Sequence, residues 1–230
     1  AFGDGRAPST PRGTKGFPTD IPATTARIVL IDRPQSPQSI IYGGAVLDVS
    51  GTDDLLTLQA ANTVLGTDFL SRINADLRET KGWSYGVRGS INTLQHRVPY
   101  IVNAPVQANR TGESIAALIA QYERFLGPDG VTAAERDRTV NGDTRGLAGG
   151  FETSGQILGA LRSNALYGRP DNYQETLASR TRALTAADMD AAARAIIDPS
   201  TFVWVVVGDA SVVRPQLDAL GLPVEVRPAQ

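Results

Sequence analysis

The sequence has 230 residues, 41% of them hydrophobic, and a formal net charge of −2. A chain of this size can bury one hydrophobic core, and its charge argues against nucleic acid or an anionic membrane as the main partner. Because cysteine is absent, disulfides and thiolate metal sites are excluded. The sequence also has no run of 18 apolar residues, so it predicts no membrane span.

The N-terminal stretch is rich in proline and glycine. This composition predicts an extended arm or interdomain linker over residues 1–25, followed by a single domain over residues 26–230. The sequence begins with Ala1 rather than Met and has no apolar signal core, so we expect a processed product or a piece of something longer.

Two strands and two helices are predicted next. The strands, rich in Ile and Val, cover residues 26–32 and 38–49, and the first helix covers residues 52–65. The second helix is expected to start at residue 67 or 68 and to end at Gly82, which supplies a left-handed stop. Its buried stripe is predicted to contain three residues at helical spacing: Phe69, Ile73 and Leu77.

Two alternating segments, residues 83–92 and 98–106, then predict an antiparallel hairpin. In the first segment, one face is expected to carry Trp83, Tyr85, Val87 and Ile91. With the two earlier strands, this hairpin predicts a mainly antiparallel sheet with one face in water.

Helical patterns dominate the remaining sequence, which ends with a buried strand over residues 201–207, a last helix over 212–220 and a proline-containing tail. Thr132 with Glu135, and Thr185 with Asp188, have the spacing of helix-capping boxes. The predicted fold class is α+β.

The sequence contains no self-sufficient hydrolytic centre. It has one histidine, His96, in a predicted hairpin turn, whereas a zinc hydrolase needs several ligands at spacings such as H-x-x-E-H. A Ser/His/Asp arrangement would depend on the same histidine, and no G-x-S-x-G elbow is present. Acidic residues at predicted helix starts, such as Asp53 and Asp54, are explained by the helix dipole.

Several stretches, in order along the chain, resemble the pitrilysin/insulinase and mitochondrial-processing-peptidase family of zinc peptidases. They are residues 2–4, 31–38, 70–87, 151–153, 184–188 and 205–209. The resemblance implies an antiparallel sheet with helices packed on one face. It also implies a C-terminal-type, inactive domain in a chamber built from two halves, because H-x-x-E-H is missing here.

The same resemblance implies roles for particular residues and partners. In such domains an Arg and a Tyr seven residues later reach the zinc site of the other half, and Arg78 and Tyr85 match that spacing. These two side chains are the candidate auxiliary catalytic residues, as donors to the substrate carbonyl. No metal or cofactor is expected in this chain; zinc is expected in a partner domain or subunit bearing H-x-x-E-H, with a peptide as substrate.

Three alternatives remain open from the residues. Arg78 and Tyr85 have a purely structural interpretation, in which Tyr85 packs beside Trp83 and Arg78 pairs with a nearby carboxylate. In the second alternative, the chain is a structural or assembly subunit without a proteolytic role. In the third, it is the second domain of the zinc-bearing half. Resemblance to bacterial relatives alone suggests the periplasm or cell envelope.

Overall fold

The computed structural model describes Gly13, Gly16, Asp20, Ile21 and residues 23–229. The strands are β1 Arg27–Asp32, β2 Gln38–Leu47, β3 Arg88–Ile91, β4 Val98–Gln107, β5 Val203–Gly208 and β6 Val224–Pro228. The helices are α1 Leu56–Asn62, α2 Arg72–Asn74, α3 Thr111–Leu126, α4 Ala133–Gly146, α5 Ser154–Tyr167, α6 Tyr173–Ala183, α7 Ala186–Ile196 and α8 Ala210–Asp218. Most of the predicted arm over residues 1–25 lies outside the described residues, and its described positions belong to no helix or strand.

The six strands form one sheet in the order β3-β4-β2-β5-β1-β6. Three neighbouring pairs are antiparallel, β3 with β4, β4 with β2, and β2 with β5, while β1 runs parallel to both β5 and β6. The predicted α+β class and the mainly antiparallel pairing are confirmed, and the sheet is mixed. The predicted C-terminal tail contains strand β6, because residues from Val224 onward align with β1 from Ile28 onward.

One face of the sheet is covered by helices and carries the core. The inward residues of β4 alternate strictly and are fully or almost fully buried: Val98, Tyr100, Val102, Ala104 and Val106. Helices α3, α7 and α8 contribute apolar side chains to the same core, among them Ile115, Tyr122, Met189 and Leu217. The hydroxyl oxygens of Tyr100 and Tyr122 share a hydrogen bond of 2.9 Å, which satisfies two buried polar groups.

Among the described residues, no helix covers the other face of the sheet, as the resemblance implied. The register aligns Tyr42 of β2 with Val205 of β5, and Gly44 with Val203 and with Ile101 of β4. Tyr42, Val46 and Ile101 are exposed, as expected for the wet face of the sheet. The middle of this open face is apolar.

The predicted helix boundaries need two corrections near the site. Helix α1 begins at Leu56 and continues as a π-helical turn, Thr63–Thr67, so Gly66 does not end it. Gly66 instead permits close packing, because a Cβ atom there would lie 2.8 Å from the Cα of Gly89 in β3. Helix α2 begins at Arg72, after an extended Ser71, so Phe69 precedes the helix.

The second half of the chain follows the predicted capping signals. Both predicted boxes form, at Thr132 with Glu135 and at Thr185 with Asp188, and a third joins Thr153 to Gln156 at the start of α5. Helices α4, α5 and α6 form an outer layer with few buried residues. Across the described part of the chain, none of the helices combines the length and apolarity that a membrane crossing requires.

Candidate functional site: the Arg78–Tyr85 loop

The candidate site begins on a helix that changes its hydrogen-bonding pattern. Helix α2 continues directly into a π-helical segment, Ala75–Thr80, and Gly82 follows with φ at +66°. That value confirms the predicted left-handed stop, which glycine adopts without steric cost. Lys81 pairs with Asp76 at 2.5 Å and secures the last turn. Wide turns of this kind shift the side chains that follow them, and they are frequent at functional sites.

Arg78 lies within the π-helical segment and is half-buried. Its guanidinium carbon lies 4.2 Å from the centroid of the Phe69 ring, in a cation–π contact. Its Nη1 is 3.1 Å from Oε1 of Glu79, an ion pair without the geometry of a hydrogen bond. Among the described residues, this buried Nη1 has no hydrogen-bond acceptor. Arg78 is thus held in position by an aromatic ring and by Glu79, so the pairing with a nearby carboxylate that the structural interpretation predicts does form.

Tyr85 is 91% exposed and lies outside any strand. The predicted strand over residues 83–92 is wrong in its first half, because β3 begins only at Arg88. Tyr85 therefore does not share a buried face with Trp83 and Val87, and that structural interpretation of its position is excluded. Its phenol is accessible to a partner or substrate.

The loop that presents Tyr85 is fixed at both ends. The Trp83 amide donates to the Leu77 carbonyl at 2.9 Å, and the Trp83 carbonyl accepts from the Gln107 amide at 3.1 Å. Beside the apex, the Ser84 hydroxyl donates to the Pro105 carbonyl at 2.6 Å. An exposed tyrosine on a clamped loop presents a hydroxyl with little loss of backbone entropy on binding.

Asn74 connects the two sides of the site. Its side-chain nitrogen donates to the Phe69 carbonyl at 2.6 Å, and its side-chain oxygen accepts from the Val87 amide at 2.8 Å. Asn74 is almost fully buried, so losing either bond would leave a polar group unsatisfied. One amide thereby fixes the turn below Arg78 relative to the loop bearing Tyr85.

Sequence reasoning missed the contribution of Phe69 and Leu70 to this surface. Phe69 was assigned to the buried stripe with Ile73 and Leu77; the other two are fully buried, whereas Phe69 is 60% exposed and Leu70 is also exposed. Ser71, an N-cap type directly before Arg72, was the available signal that these two residues precede the helix. Phe69 and Leu70 add exposed apolar surface, and the Phe69 ring contacts the Arg78 guanidinium.

An ion pair between α2 and α4 supports the helix that leads to Arg78. Arg72 donates to both carboxylate oxygens of Glu135 at 2.7 Å, which ties α2 to the start of α4. Burial acts to raise the pKa of Glu135, but hydrogen bonds from Arg72 and Thr132 outweigh it and lower the pKa to about 2. The carboxylate therefore stays ionised at neutral pH and holds the helix that carries Arg78.

The arrangement offers donors and apolar contacts but not a metal centre. Over the described residues there is no cluster of three or more His, Cys, Asp or Glu side chains able to hold a metal ion. His96 lies exposed in the turn between β3 and β4, as its sequence position predicted. The side chains of the described residues do not fit a zinc site.

Residues 1–142 match the protein-family model that is described as the Peptidase M16 inactive domain. An uncharacterized zinc protease of Mycobacterium tuberculosis is 26% identical over 194 residues, and a Mycobacterium bovis counterpart matches equally. The alignment covers 84% of this chain and 43% of each relative, so the chain spans less than half of their length.

Solved structures agree on the fold. A peptidase M16 inactive domain from Pseudomonas fluorescens superposes with a TM-score of 0.72 at 24% identity, covering 83% of this chain and 45% of that one. A Helicobacter pylori protease gives a TM-score of 0.71 at 16% identity, covering 80% and 45%. The periplasmic protease PqqL from Escherichia coli gives 0.67 at 16%, covering 81% and 21%.

Proposed function

The chain belongs to the peptidase M16 inactive-domain family, and on that premise we propose that it lines the peptide-degrading chamber of a zinc metalloendopeptidase and assists, with Arg78 and Tyr85, at a zinc centre held elsewhere. The observation that carries the proposal is the presentation of Tyr85. Its phenol is 91% exposed, on a loop that hydrogen bonds hold at Trp83 and Val87. Asn74 joins this loop to Phe69, whose ring contacts the Arg78 guanidinium.

The chemistry of peptide hydrolysis suits such donors. Attack on the scissile carbonyl develops negative charge on its oxygen, and fixed donors aimed at that oxygen lower the barrier. Arg78 stays charged at every working pH, and Tyr85 adds a directional hydroxyl. Phe69 and Leu70 supply apolar surface beside these donors for a peptide side chain.

The metal is assigned to the partner. In the zinc peptidases that this chain resembles, H-x-x-E-H holds zinc, and the metal supplies Lewis-acid activation of water and of the substrate carbonyl. This chain carries one histidine and no cysteine, so its role is limited to binding and orienting the peptide and stabilising charge. The partner that completes the site is a zinc-bearing domain or subunit, and the substrate is a peptide.

Steady-state kinetics of the assembled peptidase test this function. We expect Arg78→Ala and Tyr85→Phe each to lower kcat/KM by about 100-fold or more, since lost transition-state donors cost about 2.7–4 kcal/mol in comparable sites. Matched controls are Arg214→Ala on α8 and Tyr173→Phe on α6, which should change kcat/KM less than about twofold. Wild-type kinetics for both site variants, with bound zinc intact, would rule out the donor role. Absence of any hydrolysis in the assembled wild type would favour the structural-subunit alternative.

A further inference from the structure

A polar cavity of about 570 Å³ opens between helices α1, α4, α5 and α6. Its walls combine leucine and tyrosine side chains with hydroxyl and amide groups. Two side chains of opposite charge, Arg169 and Asp143, also line it. Neither Arg78 nor Tyr85 does, so the cavity is distinct from the site on the Tyr85 loop.

Arg169 is fixed in position but has no carboxylate partner. Its amide donates to the Asn164 carbonyl at 2.9 Å, within the turn that ends α5. Its guanidinium carbon lies 5.0 Å from the centroid of the Tyr167 ring and 4.5 Å from that of Tyr173. Within the described ranges, its side chain donates only one hydrogen bond, from Nη1 to the Ser163 hydroxyl at 3.2 Å. Most donors of this guanidinium therefore remain available, and a carboxylate can accept two of them in parallel.

Asp143 supplies the opposite charge, again without a partner. It lies on α4, and no Lys or Arg side chain in the described part of the chain forms an ion pair with it. The side chain is open to solvent, but neighbouring atoms partly desolvate it. This desolvation and the charge of Asp68 raise the pKa of Asp143. A cation bound in the cavity would offset both effects, and Arg169 does not pair with this carboxylate although it lines the same cavity.

Neutral polar groups of the cavity suit a peptide backbone. Gln59 and Gln174 each donate their side-chain nitrogen to another side chain, at 3.1 and 3.3 Å. Their side-chain oxygens accept no hydrogen bond from the described residues, so both are available to N–H donors. The Ser163 hydroxyl accepts from Arg169, which leaves its hydrogen free to donate to a carbonyl. Both halves of a peptide bond thus find complementary groups here.

We propose that this cavity binds a short peptide of two or three residues, with its C-terminal carboxylate on Arg169 and its N-terminal ammonium at Asp143. Such a peptide bridges two opposite charges that the chain leaves unpaired in one cavity. Cavities of roughly 300–1,000 Å³ accept drug-sized ligands, so a volume of about 570 Å³ suits a di- or tripeptide better than a single amino acid. This site goes beyond the proposed role of Arg78 and Tyr85 and does not depend on it.

Isothermal titration calorimetry of the 230-residue chain tests the binding, with trialanine as the probe because its only charges lie at its termini. We expect saturable binding, weakened at least about tenfold when the N-terminus is acetylated or the C-terminus is amidated. Free alanine should also bind at least about tenfold more weakly, since it fills less of the cavity. Absence of trialanine binding, or equal affinity for either capped peptide or for free alanine, would overturn the proposal.

Two variants assign the two ends of the peptide. Arg169→Gln should weaken binding of trialanine at least about tenfold but binding of its C-terminal amide less than about twofold, because the amide already lacks the carboxylate. Asp143→Asn should act in the same way on trialanine and its N-acetylated form. Arg214→Gln on α8 is the matched control and should leave the affinity unchanged. Equal weakening of the free and capped peptides would contradict the assigned contacts.

Arg78→Ala separates this site from the proposed function. It should leave trialanine binding unchanged, because Arg78 does not line the cavity. Loss of binding in Arg78→Ala but not in Arg169→Gln would place the peptide on the Tyr85 loop and overturn the proposal. Since calorimetry requires no hydrolysis, failure of the donor role and failure of this binding site are distinguishable.

Discussion

The two faces of the sheet have similar composition and opposite surroundings. On the covered face, Trp204 and Val206 of β5 are fully buried under helices, whereas on the open face their neighbours Val203 and Val205 remain partly exposed. The covered face is completed within this chain. The open face, helix α5 and the Tyr85 loop carry exposed apolar or aromatic side chains in the described part of the chain. The difference indicates that the stability of the isolated chain depends chiefly on the covered face.

The largest expected effect on the free energy of unfolding separates two adjacent residues of β5. Trp204→Ala removes a fully buried ring that packs against Phe202 at a centroid distance of 6.0 Å, and it should lower the free energy of unfolding by about 3–5 kcal/mol. Val205→Ala, on the open face, should cost less than about 1 kcal/mol. Urea denaturation of the isolated chain measures both. Equal losses would contradict the assignment of stability to the covered face.

The next effect is expected at the ion pair beneath the site. Glu135→Gln weakens the bidentate contact with Arg72 and should cost about 1–3 kcal/mol at pH 7. Because the pKa of Glu135 is lowered to about 2, its contribution to stability is present above pH 4.5, the ordinary value, and is lost as the pH falls toward 2. Denaturation midpoints between pH 6 and pH 2 should therefore fall less steeply for the variant than for the wild type. Parallel curves would show that the carboxylate is not the titrating group.

A smaller effect is expected where Asn74 joins the two sides of the site. Asn74→Ala removes the bonds to the Phe69 carbonyl and the Val87 amide and should cost about 1–2 kcal/mol. It should also speed amide exchange in residues 82–87, which report the mobility of the Tyr85 loop. Ser36→Ala, in an exposed turn, is a control without such an effect. An unchanged loop would show that Asn74 does not position Tyr85.

The smallest effect is expected on the open face. Tyr42 is 45% exposed, so Tyr42→Lys in the isolated chain should change the free energy of unfolding by no more than about 0.5 kcal/mol. A loss of several kcal/mol in the isolated chain would mean that this face already packs against part of the chain.

Local signals predicted most of the fold. Capping boxes at Thr132 and Thr185 fixed helix starts correctly because they depend on contacts three residues apart. Strand β6 was missed because its pairing with β1 joins residues nearly 200 positions apart, and its first four residues lie between Pro223 and Pro228. Alternation separated the two faces of the sheet but did not identify which one receives helices.

The site was predicted less completely than the fold. Family resemblance alone singled out Arg78 and Tyr85, since local chemistry gave a helix stop and a strand, and their catalytic role stays a prediction. Tyr85 was placed in a strand because residues 83–91 alternate, whereas bonds from Leu77, Asn74 and Gln107 hold residues 83–87 as a loop. Those partners lie up to about 24 positions away, beyond the reach of a local pattern.

The most direct test of the donor role compares substrate turnover with binding of a tetrahedral phosphinic peptide analogue in the assembled peptidase. For wild type, Arg78→Ala, Arg78→Lys, Tyr85→Phe and Tyr85→Ala, we expect the logarithm of kcat/KM to fall in proportion to the logarithm of analogue affinity, with a slope near 1. Donors aimed at the developing oxyanion stabilise both the transition state and its analogue. Variants that lose kcat/KM while binding the analogue as tightly as wild type would contradict the role assigned to these two residues.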